Sequence, residues 1–407
     1  MTQRAEYPKA LEGIRVLDIG NFLGGPFCST IFAEFGADVI KVEQPGVGDA
    51  MRRSGGPEAM CNGVNLFWAQ ESRNKKSITC DLHKRRGQEL IRELVKQMDI
   101  VVENYTPGTL RKWNLDYEDL KAANPALIMV RVSGYGQTGP NRHRPGFARV
   151  AQAYSGFTYL AGEPGGPPLT PGSTTIADYN SGMFGAIGAL IALRHRDRTG
   201  EGQVVELGLY ESVFRIMDTL TVAYDKAGVV RDRVGRFTPL VAPHGQYPTK
   251  DGRWVAIAAN TDRQFRAFVT GMGRPELADD PRFGSPDSRV THSTELNRLV
   301  EEMTAQHNMA EIMEAIEKAE VPGGPVNSIK DIFEDAHFWE RETLVRYADP
   351  VVGEVAMPGP IPHLSRTPAR VEWLGPARVG QHNEEVYGGL LGLSSAEIAQ
   401  LRADGVI

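Results

Sequence analysis

The amino-acid sequence predicts an α/β protein whose N-terminal part folds around an open, doubly wound parallel β-sheet. Strand-like and helical stretches alternate throughout roughly the first 135 residues, and this alternation is typical of parallel sheets built from βαβ units. The chain has 407 residues, which is long for one core, so we expect two domains. Its hydrophobic content of 41% and charged content of 24% are ordinary for a globular protein.

The first βαβ unit occupies residues 14–43, which predict a strand, a helix and a second strand in that order. The turn after the first strand contains Gly20, Gly24 and Gly25, but these do not follow the G-x-G-x-x-G order of a dinucleotide-binding turn. Glu43 ends the second strand, where such proteins carry the acid that binds ribose. A nicotinamide-dependent oxidoreductase therefore stays an alternative at this point.

The alternation continues with further strands and helices. Residues 73–81 form a basic cluster that leads into a strand, and we predict further strands at 99–103 and 127–132 and helices at 84–97 and 117–123. Directly after the last of these strands, residues 134–139 match G-x-G-x-x-G, but Pro140 and Pro145 stand where a helix should open. We therefore expect a ligand-facing loop there, rich in backbone N–H groups.

A change of composition at residues 225–236 predicts a domain linker, because this stretch is charged and contains glycine. Beyond it, residues 252–258 predict a strand and several helices follow. This second block has the pattern of a small α/β domain.

A carboxylate at the start of a long apolar segment is the strongest candidate for chemistry. Residues 183–195 are apolar almost all round, which predicts a buried helix. Asp178 lies near its N-terminus, where free N–H groups and the helix dipole favour an ionised carboxylate. Spacing alone leaves two roles open, because aspartate is both a good N-cap and a nucleophile in covalent catalysis.

Other kinds of chemistry lack their motifs. The net charge of −6 argues against a nucleic-acid partner. The sequence has no His-Glu-x-x-His, no His/Cys cluster at metal spacing, no G-x-S-x-G and no Walker loop. We therefore expect no metal, and by elimination Asp178 is the best nucleophile candidate.

Sequence features also bear on location. The N-terminal residues lack the apolar segment of a secretory signal, and no apolar run is as long as a membrane span requires, so no membrane partner is expected. The three cysteines, Cys28, Cys61 and Cys80, are scattered. They fit a reduced, cytoplasmic compartment.

Several motifs together resemble the class III (family III) CoA-transferases. No single motif is specific, but the set covers nearly the whole chain. The matching segments are residues 11–18, 25–26, 36–43, 73–78, 102–108, 133–140, 199–203 and 321–326, together with Asp178 and Gly182.

The resemblance implies a Rossmann-like large domain with a smaller α/β domain, in a dimer whose two chains are interlocked. On this basis we expect residues 1–225 to form the N-terminal part of the large domain and residues 235–325 the small domain. Residues 335–407 are expected to return to the large domain.

The resemblance also implies an activity and a mechanism. In this family the aspartate at the position of Asp178 attacks an acyl-CoA thioester, and an aspartyl-CoA thioester then passes CoA to an acceptor carboxylate. A carboxylate nucleophile of this kind must be ionised and close to backbone N–H groups that receive the oxyanion. CoA thioesters are the substrates, and no permanently bound cofactor is expected.

We expect CoA contacts from residues at the family's CoA-binding positions. These are Leu23, Gly24, Gln44, Cys80, His83, Asn104, Tyr105, Lys112 and Ala148. Arg73 and Lys76 are added for their charge, which can compensate where the family pattern is not kept. Lys112 is suited to a phosphate. Gln44 and His83 depart from the formyl-CoA transferases, which carry an arginine and a lysine at these positions.

Within the family, several segments are most similar to the subunits of succinyl-CoA:(R)-benzylsuccinate CoA-transferase, an enzyme of anaerobic toluene degradation. We therefore expect succinyl-CoA as donor and (R)-benzylsuccinate as acceptor, with malate or citramalate as the alternative. The segment Gly146-Phe147-Ala148 lacks the acid usual at its third position, which suits a dianionic acceptor. Partner subunits of this subgroup are often paralogous, so a homodimer and a heteromer both stay open.

Two further alternatives concern the active site. The α-methylacyl-CoA racemases of the same family pair the aspartate with the histidine of a Gly-His-Asp motif, and here Phe147 takes the place of that histidine. Racemase chemistry would therefore lack one of its two bases. A non-catalytic partner subunit is the other alternative, and the presence of Asp178 argues against it.

Overall fold

The computed structural model describes residues 8–172 and 174–407. The chain divides into two compact units. The first unit consists of the N-terminal segment up to Phe157, Thr170–Gly228 and His337–Ile407. The second unit consists of Thr158–Leu169 and Val229–Ala336. The domain boundaries given above stay a prediction, and they do not include the short segment before Thr170 that joins the second unit.

A six-stranded sheet lies at the centre of the first unit. Its strands are β1 (Arg15–Asp18), β2 (Asp38–Glu43), β3 (Lys75–Thr79), β4 (Ile100–Glu103), β5 (Ile128–Ser133) and β6 (Val204–Gly208). They lie in the order β3-β2-β1-β4-β5-β6, and every neighbouring pair is parallel. The predicted open parallel sheet is therefore confirmed.

Successive residues of each strand point to opposite faces of the sheet, so both faces carry apolar side chains. Helices cover both faces. They include α1 (Pro26–Glu34), α2 (Leu66–Glu71), α3 (Arg85–Val95), α4 (Tyr117–Ala123), α5 (Ala148–Tyr154), α6 (Ile176–Thr199) and α7 (Leu209–Phe214). In β1, Leu17 packs in one apolar cluster with α3 and the C-terminal residues, including Tyr387. Val16 packs in the opposite cluster with α1 and α6.

Helix α6 crosses the second of these faces at very short range. A Cβ atom added to Gly182 would lie 2.8 Å from the Cβ of Phe27, and one added to Gly188 would lie 2.5 Å from Cγ1 of Val205. Only glycine fits at such distances. The small residues of α6 therefore let it approach α1 and the sheet closely.

The expectation that α6 is buried all round is wrong on one face. The helix is 24 residues long and begins before the predicted segment. Its outward side chains are exposed, for example Ile187 at 51% and Ile191 at 65%, because the described residues leave this face uncovered. By length and composition alone, helix α6 could cross a membrane, whereas the sequence analysis expected no apolar run long enough for this. Half of the apolar part of the helix is buried inside the protein.

The second unit is built on a three-stranded antiparallel sheet. Its strands are β7 (His244–Pro248), β8 (Trp254–Ala258) and β9 (Gly323–Pro325), with β8 in the middle. Helices α8 (Asp262–Gly271), α9 (Ser293–Thr304) and α10 (Met309–Lys318) pack against it. Buried residues such as Tyr247, Phe265 and Leu296 form its own core.

The C-terminal segment belongs to the first unit. It contains the antiparallel hairpin β10 (Leu344–Asp349) and β11 (Gly353–Pro358) and ends with helix α11 (Ser395–Ala403). Short helices complete both units, at Thr109–Lys112, Phe157–Leu160, Leu220–Ala227, Pro286–Thr291, Ile329–Glu334, Ala336–Glu340 and Gly389–Leu391.

Candidate active site

Asp178 stands in the first turn of α6. The N-cap position is taken by Thr175, whose backbone carbonyl accepts the N–H of Asp178 at 3.0 Å. No hydrogen bond to the Asp178 carboxylate comes from residues 8–172 or 174–407, so this side chain is not the helix cap. Burial raises the pKa of Asp178 to about 6 and outweighs the expected influence of the helix N-terminus. Asp178 is thus a partly buried carboxylate to which the described residues supply no hydrogen-bond or ion-pair partner.

A glycine turn lies against this carboxylate. A Cβ atom added to Gly24 would lie 3.1 Å from Oδ1 of Asp178 and 3.3 Å from the side chain of Leu209. Gly24 belongs to the turn between β1 and α1, and Leu209 follows β6 directly. Asp178 is therefore placed where the carboxyl ends of the parallel strands meet, which is the usual ligand-binding edge of such sheets.

Backbone N–H groups of the same turn fall into two sets. Those of Gly20, Asn21 and Phe22 donate to the side chains of Asp18, Asn104 and Asp49 at 3.1, 2.7 and 3.1 Å. Those of residues 23–25 find no acceptor in the part of the chain that the structure describes. Three consecutive N–H groups beside a carboxylate can receive a developing oxyanion.

Tyr179 fixes the first turn of α6 to its neighbours. Its hydroxyl donates to Oε1 of Glu71 in α2 at 3.0 Å, and its ring meets that of Phe27 edge-on with centroids 4.8 Å apart. Burial, together with the nearby charge of Glu71, raises the pKa of Tyr179, so the hydroxyl stays protonated. Sequence analysis missed this anchor, and the only signal for it is its position next to Asp178.

An aromatic cluster gathers two of the predicted CoA-binding residues. Trp113 makes edge-on contacts with His83 and with Tyr105, at centroid distances of 4.9 and 5.0 Å. Lys112 precedes Trp113 and is exposed. The structure thus brings His83 and Tyr105 together at a tryptophan that the sequence analysis did not select, and Lys112 is its neighbour in the chain.

Other predicted CoA-binding side chains are already engaged within the chain. Arg73 is buried and donates to Glu34 and to the carbonyl of Pro358, both at 2.7 Å. Lys76 pairs with Asp38 and Glu385 at 2.9 and 3.0 Å. A CoA contact by either side chain would have to compete with these partners, so both contacts stay predictions.

The remaining predicted positions differ in what they can offer a ligand. Leu23 packs in a buried cluster with Trp68, which leaves its backbone for a ligand. Burial raises the pKa of Cys80 to about 12, so this thiol is inert. Ala148 is buried at the start of α5, and Gln44 is exposed after β2.

Asn104 has a different set of contacts. Its side-chain amide donates to the carbonyl of Asn21 and accepts the N–H of the same residue, both at 2.7 Å. The side chain therefore holds the turn that carries Gly24. In the described ranges no group of three or more His, Cys, Asp or Glu residues is arranged to hold a metal ion.

Taken together, the parallel sheet and the carboxylate at its carboxyl edge have the features that a transferase with a carboxylate nucleophile would require. The chain belongs to CoA-transferase family III, whose model matches residues 11–383. The enzymes of this family use CoA thioesters as substrates and need no permanently bound cofactor. The CoA-transferase class predicted from the sequence is thereby confirmed, and the nicotinamide alternative is set aside.

Curated relatives cover the chain almost completely. It is 47% identical over 399 residues to the beta subunit of succinyl-CoA–L-malate CoA-transferase from Chloroflexus aurantiacus, with 98% of both chains covered. It is 44% identical over 400 residues to succinyl-CoA–D-citramalate CoA-transferase of the same organism, again with 98% of both covered. The mouse succinyl-CoA:glutarate CoA-transferase is 34% identical over 400 residues, which is 98% of this chain and 90% of the relative.

A solved structure has the same fold. The crystal structure of a CaiB/BaiF family protein from Brucella suis superimposes with a TM-score of 0.84 at 32% sequence identity, covering 94% of this chain and 100% of that one. The relatives named here act on malate, citramalate and glutarate. They favour the stated alternative over (R)-benzylsuccinate.

The raised pKa of Asp178 predicts a pH-dependent cost in stability. Because its folded pKa of about 6 lies above the unfolded value, the free energy of unfolding should fall as the pH rises from about 4 to above 6. Asp178→Asn removes this cost, so the variant should be more stable than the wild type by about 3 kcal/mol at pH 8 and by little at pH 4. Urea unfolding at both pH values measures the difference.

Asp197→Asn is the matched control, because Asp197 lies on the same helix and its side chain is 57% exposed. Its stability should follow the wild type at both pH values. Equal pH dependence of the two variants would contradict the burial of the Asp178 charge.

Proposed function

We propose that this protein transfers CoA from succinyl-CoA to a small dicarboxylic acid through a covalent intermediate on Asp178. The observation that carries the proposal is the unpaired, desolvated carboxylate placed against the turn of Gly24. At neutral pH a carboxylate with a pKa of about 6 is mostly ionised. It is also poorly solvated, which favours nucleophilic attack.

The reaction proceeds through four acyl exchanges. An Asp178 oxygen attacks the thioester carbonyl of succinyl-CoA, the C–S bond breaks, and a mixed anhydride and the CoA thiolate form. The thiolate attacks the aspartyl carbon and releases succinate, which leaves Asp178 as a CoA thioester. The acceptor carboxylate attacks this thioester and forms a second anhydride, and the thiolate then attacks the acceptor carbonyl and frees Asp178.

Each exchange places negative charge on a carbonyl oxygen near Asp178. The N–H groups of residues 23–25 are suited to hold that oxygen, because no acceptor within residues 8–172 or 174–407 occupies them. Gly24 is also the residue at which a side chain would displace the nucleophile. Direct contacts of CoA with Leu23 and Gly24 are therefore proposed to be made through the backbone.

The aromatic cluster is the proposed site for the nucleotide end of CoA. Trp113, with His83 and Tyr105 at its sides, offers apolar surface on which an adenine can pack. Lys112 is exposed beside it and is suited to a phosphate. We keep Gln44, Arg73, Lys76, Cys80, Asn104 and Ala148 as further proposed CoA-site residues, of which Arg73, Lys76 and Asn104 would act through their present partners.

Malate or citramalate is the proposed type of acceptor, since the relatives with 47% and 44% identity are named for these acids. All the acceptors named for the relatives above are diacids. Ala148, where the family usually carries an acid, leaves the site less negative and supports a dianionic acceptor. (R)-Benzylsuccinate stays in the acceptor screen as the second candidate, because it is also a dianion.

The exposed face of α6 supports an oligomer. Met183, Ile187, Leu190 and Ile191 are 43–65% exposed on one side of this helix, and contiguous apolar surface of this kind marks protein interfaces. We propose that a second copy of this chain covers it, in an interlocked dimer. A paralogous partner is the alternative outcome, because the malate relatives are named as alpha and beta subunits. A cytoplasmic location, without nucleic-acid or membrane partners, completes the proposal.

Incubation with succinyl-CoA followed by borohydride or hydroxylamine should modify the peptide that carries Asp178. The aspartyl thioester is an activated acyl group, so either reagent traps it, and mass spectrometry identifies the modified residue. Asp178→Ala should lose the modification, and Asp197→Asn should keep it. An unmodified peptide in a folded wild type that binds CoA would contradict the mechanism and favour a racemase or a non-catalytic subunit, which proton exchange at the α-carbon in D2O distinguishes.

Gly24→Ala should lower kcat by about tenfold or more, because the added methyl group lies within 3.1 Å of Oδ1 of Asp178 and small displacements of a nucleophile are costly. KM for succinyl-CoA should change less. Gly389→Ala is the control, because this glycine has open space around it and a helical φ of −73°. A wild-type kcat in Gly24→Ala would show that the turn of Gly24 takes no part in the reaction.

Ile187→Asp should convert an oligomer of the wild type to monomers, because a charge replaces an apolar side chain in the proposed interface. Multi-angle light scattering measures the mass. Ile361→Asp, at a residue that is 66% exposed outside this face, should leave the mass unchanged. A wild type that is monomeric at micromolar concentration would contradict the proposed homodimer. A paralogous subunit would then be the partner to test.

A further inference from the structure

The turn that carries Gly24 has an unfavourable backbone conformation. Phe22 has a φ of 61°, in the left-handed region that is unfavourable for an L-residue with a side chain. The unoccupied N–H groups of residues 23–25 follow it directly. Other parts of the chain must therefore hold the turn in place.

Asp49 supplies the main constraint from outside the turn. Its two carboxylate oxygens accept the N–H of Phe22 at 3.1 and 3.2 Å, and Oδ1 also accepts the N–H of Met51 at 2.8 Å. Asp49 is only 1% exposed. A buried, charged acceptor of this kind is stronger than a neutral one and is costly to disturb.

A buried lysine completes this contact. Nζ of Lys41 in β2 lies 3.1 Å from Oδ2 of Asp49 and 3.6 Å from Oδ1 of Asp18, and it donates to the carbonyl of Gly20. Burial opposes the charge on Lys41, yet the neighbouring carboxylates of Asp18 and Asp49 raise its pKa. Lys41 therefore ties the start of the turn to the same carboxylate that holds Phe22.

A second lysine holds the end of the turn. Nζ of Lys75 in β3 lies 3.1 Å from Oδ2 of Asp18 and donates to the carbonyl of Pro26 at 2.7 Å. Two cations and two carboxylates, all almost fully buried, thus surround the turn with balanced charge. Removal of one carboxylate leaves a buried cation short of a partner.

We propose that Asp49 is a positioning residue for the transfer reaction, which holds the turn so that Gly24 and the unoccupied N–H groups face Asp178. This inference rests on the proposed function. Asp49 does not touch the reacting atoms. It acts through Phe22, two residues before Gly24, and its loss changes the placement of the oxyanion donors rather than the nucleophile.

The test measures the rate at which succinyl-CoA modifies Asp178 in a single turnover at saturating substrate, by quenched-flow mass spectrometry. We expect Asp49→Ala to slow the reaction about 100-fold and Asp49→Asn about tenfold, because asparagine keeps one acceptor oxygen for the Phe22 N–H. The KM for succinyl-CoA should stay within about threefold of the wild type. A merely structural role would lower the fraction of protein that reacts and leave the rate unchanged.

Asp99→Asn is the matched control. Asp99 also accepts a backbone N–H, that of Arg15 at 2.7 Å, and pairs with Arg196 at 2.5 Å. It directly precedes β4, however, and so lies at the amino ends of the strands rather than at their carboxyl ends. Its rate should equal that of the wild type. If Asp49→Ala does not fold, the single-turnover rate of Asp49→Asn alone tests the positioning role.

The outcomes separate the two proposals. A wild type that forms no adduct overturns the proposed function and this inference with it. A wild type that forms the adduct, with folded Asp49 variants that react at the wild-type rate or an Asp99 variant that slows equally, overturns only the positioning role.

Discussion

The close approach of α6 to α1 and to the central sheet is the constraint on which the candidate site depends. Glycines 182 and 188 leave no room for a side chain between these elements. With the helix fixed at this distance, its first turn lies at the carboxyl edge of the sheet and Asp178 meets the turn after β1. Asp178 is therefore placed by helix packing, and its pKa is raised by the burial that the same packing causes.

Much of the large unit follows from the sequence. Strands β1, β4 and β5 were predictable because each is a short, largely apolar run bounded by glycine or polar residues. The parallel order of the sheet follows from the intervening helices. Asp178 could be selected because it is a lone carboxylate before an apolar helix. The outward face of that helix could not be predicted as exposed, because composition does not distinguish burial within the chain from an apolar surface left open.

The contacts that shape the site were harder to predict. Asp49 and Phe22 are 27 residues apart, and a loop aspartate after a glycine has no pattern that identifies its backbone partner. Trp113 was missed for the same reason, because its contacts with His83 and Tyr105 join separate loops. Arg73 and Lys76 were selected for their charge, but charge does not reveal the acidic partners that already hold them.

The C-terminal segment has a consequence for how the chain is made. Tyr387, Ile398 and Leu401 share one apolar cluster with Leu17 and Val101 of the central strands. During synthesis the ribosome therefore releases all six strands of the sheet, with α3 and α4, well before the C-terminal residues that complete the cover of this face. Contacts across such long separations form slowly. Until they form, the incompletely covered part of the sheet offers apolar surface to chaperones and to aggregation.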